Sequence, residues 1–147
     1  MNSIQCIKVL SLDSTGDQSV ALTNMLGSLA GELDVPVLQN IKDSVFAREE
    51  TSSTYLDNGL AVPHGRVADL KQIVVVVGVH STGVNWPDNN KKAKVIVMLG
   101  VPASMITGYL VMMQKLLKWH KKTTLVHPDG SIDRLDELQK ELSEALA

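Results

Sequence analysis

Residues 48–66 read REETSSTYLDNGLAVPHGR, and this stretch says more about fold and chemistry than any other part of the chain. Leu60 and Val62 alternate with smaller residues, which predicts a short strand over residues 59–65. Pro63 favours extended geometry at Val62 and fixes its own φ angle. We therefore expect His64 to lie at the end of a strand, held in one position.

His64 has the chemistry of a nucleophile. An imidazole with an ordinary pKa of about 6.5 is largely neutral near pH 7, so one ring nitrogen can attack an electrophile and later leave. Gly65 has no Cβ, so we expect a partner or a phosphoryl group to approach the ring closely. Arg48 lies sixteen positions upstream, and its planar guanidinium can hold two phosphoryl oxygens.

Three motifs in this stretch are shared with one protein family. They are REE at residues 48–50, STYL at residues 53–56 and GLAVPHG at residues 59–65. Together they resemble the enzyme IIA (EIIA) of the bacterial phosphoenolpyruvate:sugar phosphotransferase system, mannitol/fructose class, also called type 2. The similarity extends to GVNW at residues 83–86 and to a helix-rich C-terminal third. It implies a phosphotransferase/anion-transport-protein-like fold, formed by a single domain over residues 1–147.

The resemblance also implies a role for each site residue. His64 would accept a phosphoryl group from the phosphorylated histidine carrier HPr. It would then pass the group to a cysteine or histidine of an enzyme IIB of a sugar permease. Arg48 would be the phosphate clamp, and Thr54 would offer a hydroxyl near the ring.

One position departs from the family pattern. Many members carry a second histidine at the start of the helix that follows the last apolar strand, and the spacing of Leu110 and Met113 places Tyr109 there. A tyrosine hydroxyl can hydrogen-bond a phosphoryl oxygen but carries no positive charge at neutral pH. His120 lies eleven residues further on, roughly 16 Å along a helix, and cannot substitute. We therefore expect slower transfer or a different partner.

Composition and charge narrow the classes of function. The chain has 147 residues, 44% of them hydrophobic, which suffices for one globular domain. A net charge of −2 without a basic stripe argues against nucleic acid as a partner. The longest apolar runs are far shorter than the roughly 20 residues of a membrane helix, so no direct membrane insertion is expected.

Localisation and cofactors follow from what the sequence lacks. A single cysteine cannot form an internal disulfide, and no secretory leader pattern opens the sequence, which favours the cytoplasm. Neither a paired set of metal-binding histidines nor a glycine-rich phosphate loop occurs. We expect neither a metal nor a nucleotide cofactor.

The apolar pattern predicts an α/β fold, with a central mixed β-sheet flanked by helices on both faces. Residues 73–79 and 95–101 are apolar runs without alternation, typical of central strands that are covered on both sides. Residues 83–94 between them are interpreted as a polar loop, and residues 4–12 as a further strand.

Apolar residues at helical spacing predict four helices. The first begins after Asp17 and is closed by Pro36, and the second ends near Arg48. The third begins at Ile106, and the last begins near Ser131. Methionines 105, 112 and 113 are expected to fill the core.

The other histidines and the cysteine have structural interpretations. His80 ends an apolar run and His127 lies beside a proline, so both are expected to be structural or exposed. His120 is expected to cap a helix C-terminus, where positive charge is favourable. Cys6 is expected to be a small buried residue, because the strand continues past it.

Alternatives stay open for two site residues. Arg48 can pair with Glu49 or Glu50 at an exposed helix end, which stabilises little. The hydroxyl of Thr54 can close a local turn rather than face the ring.

Two functions are compatible with the resemblance. The first is a phosphocarrier in sugar uptake, which discharges to an enzyme IIB. The second is a regulator of the nitrogen type, in which the phosphorylation state of His64 controls binding to a target protein, since a phosphoryl group adds up to about two negative charges. Tyr109 leaves the regulator credible, whereas the STYL motif favours the carrier.

Overall fold

The computed structural model describes residues 4–87, 90–123 and 135–147. Within these residues the chain forms six strands and four helices. In chain order they are β1 (Ile4–Ser11), α1 (Gln18–Gly27), α2 (Val35–Thr51), β2 (Tyr55–Asp57), β3 (Leu60–Ala61), β4 (His64–Val67), β5 (Ile73–Trp86), β6 (Lys91–Pro102), α3 (Ile106–Lys122) and α4 (Leu135–Leu146).

The described strands form one mixed sheet. Its order is β1-β5-β6-β3-β2, and β4 also pairs with β6. Strand β1 runs parallel to β5, β5 runs antiparallel to β6, and β3 and β4 both run parallel to β6. The predicted mixed sheet is confirmed.

Helices cover both faces of this sheet. Alternate residues of β5 point to opposite sides, so that Val74 and Val76 belong to one apolar core and Val75 and Val77 to the other. The first core contains residues of α1 and α2, and the second contains residues of α3 and α4. The predicted arrangement, with helices on both faces, is also confirmed.

The predicted polar loop over residues 83–94 is wrong. Both central strands continue into it and pair there, with Val84 opposite Ala93 and Trp86 opposite Lys91. Val84, Trp86 and Ala93 are buried. The polar residues of this segment stand on the outer side of a hairpin that continues past a bulge at Gly83, where φ is +98°.

The predicted end of the first helix is wrong as well. Asp17 caps the start of α1 as expected, because its Oδ1 accepts a hydrogen bond of 3.0 Å from Val20 N. The helix ends at Gly27, however, and Pro36 lies in the first turn of α2. A proline is well suited to that turn, because the amide proton that it lacks would have no partner inside the helix.

The strand predicted over residues 59–65 is split in two. Strands β3 and β4 both lie along the same edge of β6, opposite Val95 and Leu99 respectively. Pro63 has no amide proton to donate between them, and Val62 N donates to Thr54 O at 3.1 Å instead. His64 therefore begins a strand rather than ending one.

Some predictions fall outside the described residues. They concern Ser131 and His127 near the C-terminus and the side chain of Cys6 near the N-terminus. Helix α4 is described from Leu135 onward and packs its apolar face on the second core.

Met112 is buried in the second core, and Met105 and Met113 pack against that core, so the predicted role of the methionines as core residues is confirmed. None of the helices in the described ranges has the length and apolar content of a membrane span.

Candidate functional site

His64 is the first residue of β4 and is fixed through its own ring. Its Nδ1 lies 2.9 Å from Val62 O. A carbonyl oxygen only accepts hydrogen bonds, so Nδ1 carries the proton and Nε2 keeps a lone pair. The backbone on either side is tied to the sheet, because Leu99 N donates to Pro63 O at 3.0 Å. The side chain thus presents Nε2 as the reactive atom.

Tyr109 contacts Nε2 of His64. Its hydroxyl oxygen lies 3.3 Å from His64 Nε2, and the two ring centroids are 5.0 Å apart. Burial raises the pKa of Tyr109 above its ordinary value of 10.0, so the hydroxyl stays protonated at neutral pH. It therefore donates to Nε2. Tyr109, the residue expected at the place of the family's second histidine, therefore contacts His64 directly.

The surroundings of His64 keep its ring neutral. Burial lowers the pKa of His64 below its ordinary value of 6.5, and the positive charges of Arg48 and Arg66 lower it further. The hydrogen bond to Val62 and the charge of Glu49 act in the opposite direction, without reversing the shift. At pH 7 the imidazole is therefore available as a nucleophile.

Arg48 lies in the last turn of α2, close enough for its charge to lower the pKa of both His64 and Tyr109. Its Nη1 donates to Ser52 O at 2.8 Å. In the described part of the chain Arg48 forms no ion pair, so the alternative pairing with Glu49 or Glu50 is not observed. Helix α2 delivers Arg48 to the site, as predicted.

Glu49 holds the loop that leads to His64, a role that the sequence did not reveal. The side chain is buried, and its Oε2 accepts hydrogen bonds from Thr54 N at 2.9 Å and from Trp86 Nε1 at 3.2 Å. Thr54 O in turn accepts from Val62 N, and Val62 O accepts from His64 Nδ1. A buried carboxylate is thus linked to the reactive ring through two backbone segments.

Thr54 is buried, and its hydroxyl hydrogen-bonds Glu49 Oε1. A hydroxyl has one proton to donate. The Thr54 hydroxyl can therefore hold Glu49 or donate to a phosphoryl oxygen, but it cannot do both at once. In this structure it belongs to the framework behind His64.

Arg66 was missed by the sequence interpretation, although a simple signal was present. It lies two residues after His64 on β4, where Gly65 and Val67 are buried while His64 is half-buried and Arg66 is exposed. Residues two apart on a strand share a face. Arg66 therefore projects on the same side of the sheet as His64.

The absence of a Cβ at Gly65 was expected to let a partner approach the ring of His64, but in the structure it serves helix packing. It faces α2, and a Cβ at this position would lie 2.7 Å from Val45 N and closer still to Ser44 Oγ. Such contacts require the helix to move. The glycine allows α2 to pack on β4 and does not open the ring to a partner.

The remaining described histidines lie apart from this constellation. His80 is buried, and its Nδ1 accepts from Gly83 N at 2.9 Å, which is the structural role expected. His120 lies in the last turn of α3, but burial lowers its pKa. Its predicted position at the helix C-terminus is confirmed, although the lowered pKa disfavours the positive charge expected there, and the C-cap residue is Thr123.

Solved structures share the fold. The nitrogen regulatory protein IIA-Ntr from Neisseria meningitidis superposes with a TM-score of 0.73 at 24% identity, covering 95% of this chain and 96% of that one. Enzyme IIAMTL in its complex with phosphorylated enzyme IIBMTL from Escherichia coli gives a TM-score of 0.69 at 16% identity, with 94% of each chain covered. At these identities the similarity concerns the fold alone.

Sequence comparison adds the family. The 2-O-alpha-mannosyl-D-glycerate-specific EIIABC component of the phosphotransferase system from Escherichia coli strain K12 is 31% identical over 84 residues, which are 56% of this chain. The chain spans 12% of that protein's length, and no more than 24% of two other curated relatives. The model of the family described as "Phosphoenolpyruvate-dependent sugar phosphotransferase system, EIIA 2" matches residues 8–144. The chain belongs to this type 2 EIIA family, whose members act in phosphoryl transfer.

Proposed function

We propose that this chain accepts a phosphoryl group on Nε2 of His64 from phosphorylated HPr and passes it to an enzyme IIB of a sugar permease. One observation carries the proposal. His64 Nδ1 donates to Val62 O, which leaves the lone pair on Nε2, the nitrogen that faces Tyr109. Membership of the EIIA family supports HPr as the donor and an enzyme IIB as the acceptor in this proposal.

The transfer step needs no group beyond the two proteins. The Nε2 lone pair attacks the phosphorus atom of the phosphohistidine in HPr, and a new N–P bond forms. The old N–P bond breaks, and its electron pair returns to the HPr ring nitrogen. His64 keeps its proton on Nδ1, so positive charge develops on the ring, and Val62 O stabilises that charge through the existing hydrogen bond.

Tyr109 and Arg48 act on the phosphoryl group in this account. At rest the Tyr109 hydroxyl donates to Nε2, the atom that must form the new bond. The hydroxyl therefore turns to a phosphoryl oxygen as the group arrives. Arg48 supplies a permanent positive charge against the negative charge of the phosphoryl oxygens.

Discharge to the enzyme IIB is a second displacement at phosphorus, in which His64 is the leaving group. A cysteine thiolate of the enzyme IIB attacks phosphorus, and the N–P bond to His64 breaks with its electron pair returning to Nε2. We assign the mannitol/fructose class on the strength of the STYL motif at residues 53–56. A catalytic role for Thr54 requires its hydroxyl to leave Glu49 during the reaction.

A discharge experiment separates the carrier from the nitrogen-type regulator. The chain is phosphorylated with phospho-HPr, purified, and mixed with an enzyme IIB of the mannitol class, and intact masses of both proteins are followed. The proposal predicts loss of the phosphoryl group from this chain and its gain by the enzyme IIB cysteine. A cysteine-to-serine enzyme IIB is the control. Retention of the group on His64 with every enzyme IIB tested would contradict the carrier function and favour the regulator.

A further inference from the structure

Arg66 lies on the same face of β4 as His64, two residues further along the strand. Gly65 and Val67 point inward from this strand, whereas His64 is half-buried and Arg66 is exposed. Same-face neighbours on a strand have Cα atoms roughly 6.6 Å apart. An arginine side chain is long enough to span that distance. Its charged end can therefore reach a group bonded to His64 Nε2.

The backbone of Arg66 is fixed, while its side chain is available. Arg66 O accepts a hydrogen bond of 2.9 Å from Ser44 Oγ, and the residue pairs with Val101 of β6. In the described ranges the guanidinium forms neither an ion pair nor a side-chain hydrogen bond. An arginine that binds an anion needs a backbone held in place and a guanidinium without other hydrogen-bond partners, and within the described residues Arg66 has both.

The charge of Arg66 already acts on the site. It lowers the pKa of His64 and the pKa of Tyr109, as the charge of Arg48 also does. Two cations thus act on one neutral nucleophile, at a surface of a chain whose net charge is −2. His64 and Tyr109 are neutral, so among the described residues Arg48 and Arg66 are the cations whose charge acts where a phosphoryl group would arrive.

We propose that Arg66 is a second phosphate-binding residue, which donates hydrogen bonds to the oxygens of the phosphoryl group on His64 together with Arg48. This inference rests on the proposed phosphorylation of His64. The hydroxyl of Tyr109 on α3 is neutral, so Arg66 on β4 supplies positive charge that this tyrosine does not. The group that it binds is a phosphorylated imidazole, whether the group is still shared with the donor or already bonded to Nε2.

The test compares Arg66→Gln with Arg66→Lys and with Lys71→Gln. Lys71 is exposed and lies between β4 and β5, and its charge is not among those that shift the pKa of His64, so its replacement makes the same change in net charge without acting on the ring. The rate of phosphorylation is measured by intact mass at saturating phospho-HPr, where docking no longer limits the reaction. We expect a 10- to 100-fold slower rate in Arg66→Gln, about the loss of one or two charge-assisted hydrogen bonds. Arg66→Lys should recover most of the rate, and Lys71→Gln should match the wild type.

The outcomes distinguish this inference from the proposed function. If His64 is phosphorylated but Arg66→Gln reacts as fast as Lys71→Gln, the role of Arg66 is wrong and the proposed function stands. If Arg66→Gln is slower only at subsaturating donor, Arg66 attracts the donor and does not hold the phosphoryl group, which also overturns the inference. If the wild-type chain is not phosphorylated on His64, both proposals are wrong.

Discussion

The hydroxyl of Tyr109 lies 3.3 Å from Nε2 of His64, the nitrogen that we propose as the phosphoryl acceptor. The two side chains come from distant parts of the sequence, one from α3 and the other from β4. The resting site is therefore capped by a neutral donor. The Tyr109 hydroxyl has to leave Nε2 before this nitrogen can be phosphorylated. Only then can the hydroxyl donate to an oxygen of the phosphoryl group.

Tyr109→Phe tests what the hydroxyl contributes. We expect phosphorylation to slow by about 2- to 10-fold, because the variant lacks one neutral hydrogen bond to the phosphoryl group, worth about 0.5–1.5 kcal/mol. Quenched-flow measurement of phosphorylation gives the rate. Tyr55→Phe is the matched control, since that hydroxyl accepts from Gly59 N and does not contact His64. An equal rate for Tyr109→Phe and the wild type would mean that the hydroxyl does not act in transfer.

Arg48→Ala should slow transfer far more than it destabilises the fold. We expect about a 100-fold slower rate, because a charged fork facing the phosphoryl oxygens is removed. The free energy of unfolding should fall by less than about 1.5 kcal/mol, since the variant mainly removes the exposed hydrogen bond from Nη1 to Ser52 O. Urea unfolding and phosphorylation rates check the two quantities. Unchanged activity in this variant would rule out Arg48 as the clamp.

The lowered pKa of His64 contributes to the pH dependence of stability. The unfolded chain binds a proton on this histidine near pH 6.5, whereas the folded chain binds it only at lower pH. As pH falls through this interval the unfolded state takes up more protons, so the free energy of unfolding decreases. Well above pH 6.5 the histidine is neutral in both states, and the effect is absent.

His64→Gln isolates this contribution. His120 also has a lowered pKa, so the difference between wild type and variant is the relevant quantity. Wild-type stability should fall relative to His64→Gln as pH drops below about 6.5, and the imidazole signals of His64 should titrate at a lower pH than in a model peptide. A titration at or above about pH 6.5 would contradict the neutral resting state.

Glu49→Gln tests the buried link behind the site. A glutamine amide has one acceptor oxygen in place of two. If that oxygen accepts from Thr54 N and Trp86 Nε1, as Oε2 does now, the amide nitrogen faces the Thr54 hydroxyl and cannot accept its hydrogen bond, and the charge that strengthens all three bonds is lost. We expect the free energy of unfolding to fall by about 1–3 kcal/mol. Transfer should also slow, because the loop that carries Val62 loses its support. The control is Glu50→Gln, which changes an exposed neighbour and should leave both quantities unchanged. Equal stability of the two variants would contradict this assignment.

Much of the fold could be predicted because the strongest signals lie in its centre. The apolar runs of β5 and β6 indicated strands covered on both faces, and the structure has them. The hairpin beyond them could not be recognised by polarity alone. Its exposed side carries polar residues such as Asn85 and Lys92, so only the alternation with buried Val84 and Trp86 marks it as strand.

The candidate site was predictable where a motif named the residue. The structure places Tyr109 in contact with His64, and it places Arg48 close enough for its charge to lower the pKa of both. Glu49 was not recognised, because its partners Thr54 and Trp86 are brought to it by tertiary packing. Arg66 could have been found, since period-two spacing from His64 places it on the same strand face.

The most direct test of the central claim is intact-mass and phosphorus NMR measurement of the wild type and His64→Ala after incubation with phosphoenolpyruvate, enzyme I and HPr. We predict one acid-labile phosphoryl group on the wild type, bonded to an imidazole nitrogen, and none on the variant. A wild type that takes up no phosphoryl group, or a variant that takes up as much, would contradict it.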